Sequence, residues 1–164
     1  MLCIKWVELH GDRAGYDDPT MMSDIGSIEG RSYLFIGHQL CNDNLLWALR
    51  MMKYVDHRAF PIVTFVDTPR VFADLRSEEL GQGEPIAPNL KAMFGLRVPI
   101  ITIVTNKGGS CKTLVIGCAN KWLVLENSAF YVASPEAYAA ILWKSSQATP
   151  KAAEKLRITA QKHY

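Results

Sequence analysis

Two continuous apolar runs dominate the hydropathy pattern, Pro61–Val66 and Pro99–Val104. Both are short and rich in β-branched residues, so each predicts a strand buried on both faces. Ser32–Gly37 (Ser-Tyr-Leu-Phe-Ile-Gly) predicts another strand, ending in glycine. Leu45, Leu46, Leu49 and Met52 recur at helical spacing and predict an amphipathic helix over 45–54, with Asp43 or Asn44 as its cap. Ser77–Phe94 also reads as helix, capped by Ser77 and stopped by Gly95. Pro85 and Pro88 interrupt it. An interior proline costs about 3 kcal/mol unless the helix restarts, and a restart with Pro85 in its first turn accommodates one proline more easily than both.

Beyond these runs, 113–119 predicts a short helix, and 122–125 and 129–133 short strands separated by Glu126-Asn127-Ser128. Ser134 caps a helix from Pro135 to Leu142, with proline in the first turn. Lys151–Leu156 is a last short helix. Residues 9–31, rich in Gly, Asp and Ser, read as loop with short strands. Alternating strands and helices argue for an α/β fold with a largely parallel sheet. No repeat or low-complexity linker interrupts the chain, so 1–164 reads as one domain.

Composition narrows the class. The 164 residues are 49% hydrophobic and 21% charged, enough for one core. The net charge of +2 makes no global case for nucleic acid or membranes. The basic bias from Lys144 to Lys162 reads as a solvated helix face. No apolar run approaches the roughly 20 residues that span a bilayer. The first residues are too short and wrongly flanked for a secretory signal, and no Ser/Arg-rich transit peptide is visible. Cys3, Cys41, Cys111 and Cys118 lack CxxC spacing and read as free thiols in a reducing compartment. His10, His38, His57 and His163 are scattered, so no metal site is expected.

Two turns stand out as candidate chemistry. Asp67-Thr68-Pro69 ends one buried strand, where ligands bind in open α/β sheets. Gly108-Gly109-Ser110 ends the next and opens a helix. Glycines admit a ligand close to the backbone, and a helix N-terminus offers free N–H groups. Two such amides facing one carbonyl oxygen form an oxyanion hole. A plain turn is the alternative. A second alternative is a deviant P-loop in Asn106-Lys-Gly-Gly-Ser-Cys-Lys-Thr113, with Lys112 on phosphate and Thr113 on magnesium. Against it, Cys111 replaces a glycine of that motif and no Asp follows Asp74 to hold the metal.

Taken together, Leu9-His-Gly-Asp-Arg13, Phe35-Ile-Gly-His-Gln39, Ala48-Leu-Arg-Met-Met52, Ser77-Glu-Glu-Leu-Gly-Gln-Gly-Glu84 and Lys151-Ala-Ala-Glu-Lys-Leu-Arg-Ile-Thr159 are colinear with one family. The chain resembles the alpha subunit of the bacterial-type acetyl-CoA carboxylase carboxyltransferase, the form plants keep in plastids. The resemblance implies a crotonase-like (ClpP/crotonase) core of ββα units, here truncated at both ends. It implies transfer of a carboxyl group from carboxybiotin to acetyl-CoA, giving malonyl-CoA for fatty acid synthesis. Carboxybiotin would come as co-substrate on a biotin carboxyl carrier protein, with no tightly bound cofactor. A beta subunit would be the partner, with membrane association only through the complex and the chloroplast stroma, or otherwise the cytoplasm, as compartment. The role of polarising the biotin carbonyl maps onto the backbone of Gly108 and Gly109. Asp67, Thr68, Pro69 and Ser110 would line the substrate.

This sequence departs from the family at that site. Arg70-Val71-Phe72 stands where the family has Gly-Ala-Tyr. If the turn needs positive φ at 70, arginine costs roughly 1 kcal/mol or more. The family's Gly-Glu-Gly-Gly-Ser-Gly-Gly becomes Asn106-Lys107-Gly108-Gly109-Ser110-Cys111-Lys112. A longer basic segment of the family is reduced to Leu40–Trp47. These changes favour weak or absent activity, which leaves a non-catalytic paralogue that binds the beta subunit as the alternative. Cys111 reads as an inert small side chain, His38 as a structural hydrogen-bonder, and Trp122 and Trp143 as core aromatics.

Overall fold

Among the described residues the apolar runs become the middle of a seven-stranded sheet. The computed structural model describes residues 5–9, 21–39, 46–68, 86–109, 113, 116–131 and 133–158. The strands are β1 (Lys5–Leu9), β2 (Met21–Ile28), β3 (Arg31–Gln39), β4 (Ile62–Thr68), β5 (Ile100–Gly109), β6 (Lys121–Val124) and β7 (Ala129–Tyr131). Their order is β1-β2-β3-β4-β5-β6, with β7 also on β5. The first two pairings are antiparallel; β3–β4, β4–β5, β5–β6 and β5–β7 are parallel.

Register explains the core. Leu34, Ile62 and Ile100 align across three strands, as do Ile36, Thr64 and Thr102, two residues further on. With period two, these rows share one face. That face packs against Ala48, Met51, Met52 and Val55 of helix α1 (Leu46–Arg58) and Met93 of α2 (Ile86–Gly95). Thr64 and Thr102 are buried among these apolar groups, and their hydroxyls bond to each other at 2.7 Å. Each therefore enters the core already satisfied.

Several elements differ from the sequence expectation. The 9–31 region contains an eight-residue strand, β2, with Ser23, Asp24 and Gly26 buried. Its polar composition hides it, because pairing on both edges overrides propensity. Helix α1 runs four residues longer than expected, to Arg58, with Ala59 at φ 55° as a left-handed cap. Its expected N-caps, Asp43 and Asn44, lie outside the described residues. Only the final part of the Ser77–Phe94 helix is described, beginning at Ile86 directly after Pro85. Pro88 then falls in the first turn, where backbone N–H groups have no intrahelical partner to lose. The sheet also carries two antiparallel pairings beside its parallel part.

The expected helix at the end is α3 (Pro135–Trp143), where the Ser134 hydroxyl accepts from the Ala137 N–H at 3.2 Å. Trp143 lies outside the main core, packed edge-on to Tyr138 with Lys151 of α4 (Thr149–Leu156) over its ring. Trp122 does pack on the core. Among the described residues no helix is long and apolar enough to cross a membrane.

The entry to β5 is pinned by Asp56 of α1. Its carboxylate accepts from the Arg97 backbone N–H at 2.8 Å and meets the guanidinium at 3.3 Å. The backbone bond first, then the guanidinium, holds this carboxyl below its ordinary value of 3.8. A lowered carboxyl pKa contributes stability that is whole above the unfolded value and is lost as pH falls through the folded one. Asp56→Asn is therefore expected to lower the thermal midpoint at pH 7. Scans at decreasing pH should show the gap to wild type closing below pH 3.8; a gap independent of pH would contradict the assignment.

Candidate functional site

At their carboxyl ends β4 and β5 fall out of step. Val66 pairs with Val104 and Thr68 with Gly108, so β5 takes four residues where β4 takes two. The opposite edge breaks at the same level: β6 ends opposite Val104 and β7 begins opposite Lys107. Such a bulge leaves main-chain groups outside the ladder, and buried ones need partners. Hydroxyls supply them. Thr105 Oγ1 donates to the Val66 carbonyl at 3.2 Å. The Val104 carbonyl accepts from Ser128 Oγ at 3.0 Å and from the Leu125 N–H at 3.1 Å.

Past the bulge, Gly108 and Gly109 are the last residues of β5, both buried. The strand thus extends five residues beyond the expected Val104, and the glycines are strand rather than turn. Gly108 is in register with Thr68 on one side and Phe130 on the other; among the described residues Gly109 is in register with Tyr131. The space of a Gly108 side chain is filled by protein: its Cβ would stand 2.9 Å from Phe130, 3.2 Å from Val66 and 3.4 Å from Thr113. Phe130 is itself held edge-on by Trp122, ring centroids 4.7 Å apart. Its N–H donates to the Ile158 carbonyl at 3.0 Å, which returns the chain after α4 to this end of the sheet.

The structure therefore brings Asp67 and Thr68 beside Gly108 and Gly109, as the sequence implied. Asp67 is half-buried and opposite Gln39 of β3. Asn106 and Lys107 are exposed residues of the bulge. Pro69, Arg70, Ser110, Cys111 and Lys112 lie outside the described residues, as does the His38 side chain. Thr113 and Ile116–Gly117 are helical, in keeping with the expected short helix. The Thr113 hydroxyl is 1% exposed and donates to the Gly109 carbonyl at 2.9 Å. With that hydroxyl committed and Asn106–Gly109 in a strand, the geometry does not favour a phosphate cradle. Thr105 and Ser128 escaped the sequence reading; their only signal was a hydroxyl residue beside a polar break in an apolar strand.

A cavity of about 400 Å³ lies at the other pole, lined by Met93, Phe94, Ile100, Cys118 and Trp122 among others. Burial pushes the Cys118 thiol above its ordinary value. Ile100 and Gly109 are opposite ends of β5, about 25–30 Å apart at strand rise, so this cavity is separate from the glycine end.

The family model for acetyl co-enzyme A carboxylase carboxyltransferase-like proteins matches residues 1–45 and 46–164. The chain belongs to that family. Its carboxyltransferase relatives include the chloroplastic acetyl-coenzyme A carboxylase carboxyl transferase subunit alpha of Arabidopsis thaliana, 60% identical over 96% of this chain and 22% of the relative. The subunit alpha of Prochlorococcus marinus is 47% identical over 97% of this chain and 52% of the relative. The chain thus spans a fifth to a half of the relatives it matches.

Solved structures give the fold. Transcarboxylase 12S superposes with a TM-score of 0.79 at 20% identity, over 94% of this chain and 32% of that one. A Pseudomonas malonate decarboxylase hetero-tetramer, solved with coenzyme A, gives 0.73 at 18% identity, over 88% and 66%. The fold is crotonase-like, as the resemblance implied.

Gly108→Ala is expected to destabilise by about 1–3 kcal/mol through overpacking. Gly37→Ala, whose Cβ would meet, among the described residues, only Met22 at 3.7 Å, should change stability by no more than about 0.5 kcal/mol. Urea midpoints measure both; equal midpoints for the two variants would contradict the packing at Gly108.

Proposed function

We propose that this chain provides one side of a carboxyltransferase site, moving a carboxyl group from carboxybiotin to acetyl-CoA to give malonyl-CoA for fatty acid synthesis. The observation that carries this reading is the meeting of Asp67-Thr68 with the glycine end of β5, at the carboxyl end of the parallel strands, in a chain of this family. In the net reaction the biotin N–C bond breaks and a bond to the acetyl methyl carbon forms. The proton leaving that carbon ends on the biotin nitrogen. As the N–C bond breaks, negative charge moves onto the biotin ureido oxygen, and preorganised main-chain amides stabilise it. Gly108 already sits in the ladder on both sides. Among the described residues the Gly109 amide is therefore the one nearest the carboxyl end of β5.

The partners in this reading are a beta subunit, a biotin carboxyl carrier protein and acetyl-CoA. The Arabidopsis and Pisum sativum relatives are named chloroplastic, which supports the chloroplast stroma as compartment. Membrane association would come only through the complex. A second reading, a non-catalytic relative that binds the beta subunit, draws on the exposed Asn106 and Lys107 beside the glycines.

Co-expression with the beta subunit of a relative decides between them. Expected are a stable complex and biotin-dependent malonyl-CoA formation, raised several-fold by Arg70→Gly, Asn106→Gly, Cys111→Gly and Lys112→Gly together. A stable complex that makes no malonyl-CoA with or without those glycines would establish the non-catalytic reading. Failure to form any complex would reject both.

A further inference from the structure

We infer that the hydroxyls of Thr105, Thr113 and Ser128 are positioning groups that aim the carboxyl end of β5 at substrate, an inference that rests on the carboxyltransferase reading. The bulge interrupts the ladder on both edges of β5 at one level, between Val104 and Lys107. Beyond that break the strand is paired again, with Thr68 on one edge and β7 on the other, and three hydroxyls add ties that the ladder does not supply. They act from three directions. Thr105 ties the bulge to β4 at the Val66 carbonyl, and Ser128 ties the Val104 carbonyl to the bend between β6 and β7. Thr113 ties the Gly109 carbonyl to the helical residues that follow.

Burial makes these bonds count. Thr113 is 1% and Ser128 2% exposed, so neither hydroxyl has bulk water as a substitute partner. All three bonds end on main-chain carbonyls that flank the bulge or close the strand. Each hydroxyl is committed to a main-chain carbonyl and so acts through the backbone it holds. Thr113 also sets its methyl group 3.4 Å from the vacant Gly108 side-chain position. Valine at 113 keeps that shape and removes only the O–H.

The test uses the chain assembled with the beta subunit. Thr113→Val and Ser128→Ala are each expected to lower kcat about 10-fold or more, with KM for acetyl-CoA changed by less than about twofold. Thr113→Ser, which restores the hydroxyl, should recover kcat to within about threefold of wild type. Amide hydrogen exchange gives a readout that needs no activity: residues 108–113 should exchange at least about 10-fold faster in Thr113→Val, with 62–66 unchanged. Wild-type kcat in Thr113→Val, or equal losses in Thr113→Ser and Thr113→Val, would overturn the inference. If the complex is inactive with and without the four restored glycines, the carboxyltransferase reading fails, and faster exchange then marks a brace of structure alone, which overturns the positioning role. Should Thr113→Val not fold, Ser128→Ala carries the same comparison.

Discussion

The structure turns on one requirement: β5 must be paired along both edges and yet change step beneath its own end. Buried main-chain polar groups cannot be left without partners, so a change of step is tolerated only where side chains replace the ladder. Thr105 does so on the Val66 carbonyl, Ser128 joins the Leu125 N–H on the Val104 carbonyl, and the strand rejoins the ladder at Lys107 and Gly108. At that point three side chains converge on the position where Gly108 has no side chain. The glycine is thus demanded by packing from below. The same packing fixes how far the open end above it stands from Asp67 and Thr68.

Distant parts of the chain serve this end. The Asp56 carboxylate fixes Arg97 just before β5 begins, which sets where the strand starts. The aligned rows from β3 to β5 hold the sheet against α1 and α2 through a continuous apolar layer. The hairpin of α3 and α4 brings Ile158 back to Phe130, so the aromatic group under Gly108 is held from outside as well as by Trp122. The cavity at the opposite pole takes no part in this arrangement. The organisation is that of an open α/β sheet, whose ligands meet the carboxyl ends of its strands.

Much of this was legible from the chain alone. Pro61–Val66 and Pro99–Val104 declared themselves as buried strands because a run rich in β-branched residues, broken by no polar group but one threonine, has few other uses. Ser134-Pro135 marked a helix start for equally local reasons, a hydroxyl cap and a proline whose missing N–H is not needed there. The extension of β5 was not legible. Thr105 to Gly109 is polar and glycine-rich, which reads as turn, and the groups that make it strand come from Ser128 and Phe130, distant in sequence. Strand β2 was hidden in the same way, since Ser23 and Asp24 become strand residues by pairing with Leu9 and Glu8 on one edge and with Ile36 and Phe35 on the other. For the site, residue types and motif order located Asp67 and the glycines correctly at one end of the sheet. They could not reveal that Gly108 faces packed protein, because that depends on a partner more than twenty positions away.

In the proposed carboxyltransferase the Gly109 amide faces a biotin oxygen at the carboxyl end of β5. Titration of the ¹⁵N-labelled chain, assembled with the beta subunit, against free biotin tests it most directly. The amide resonance of Gly109 is expected to move downfield and saturate, while those of Thr64 and Thr102 stay fixed. Saturating shifts confined to Met93, Cys118 and Trp122 at the opposite pole, with Gly109 unmoved, would contradict it.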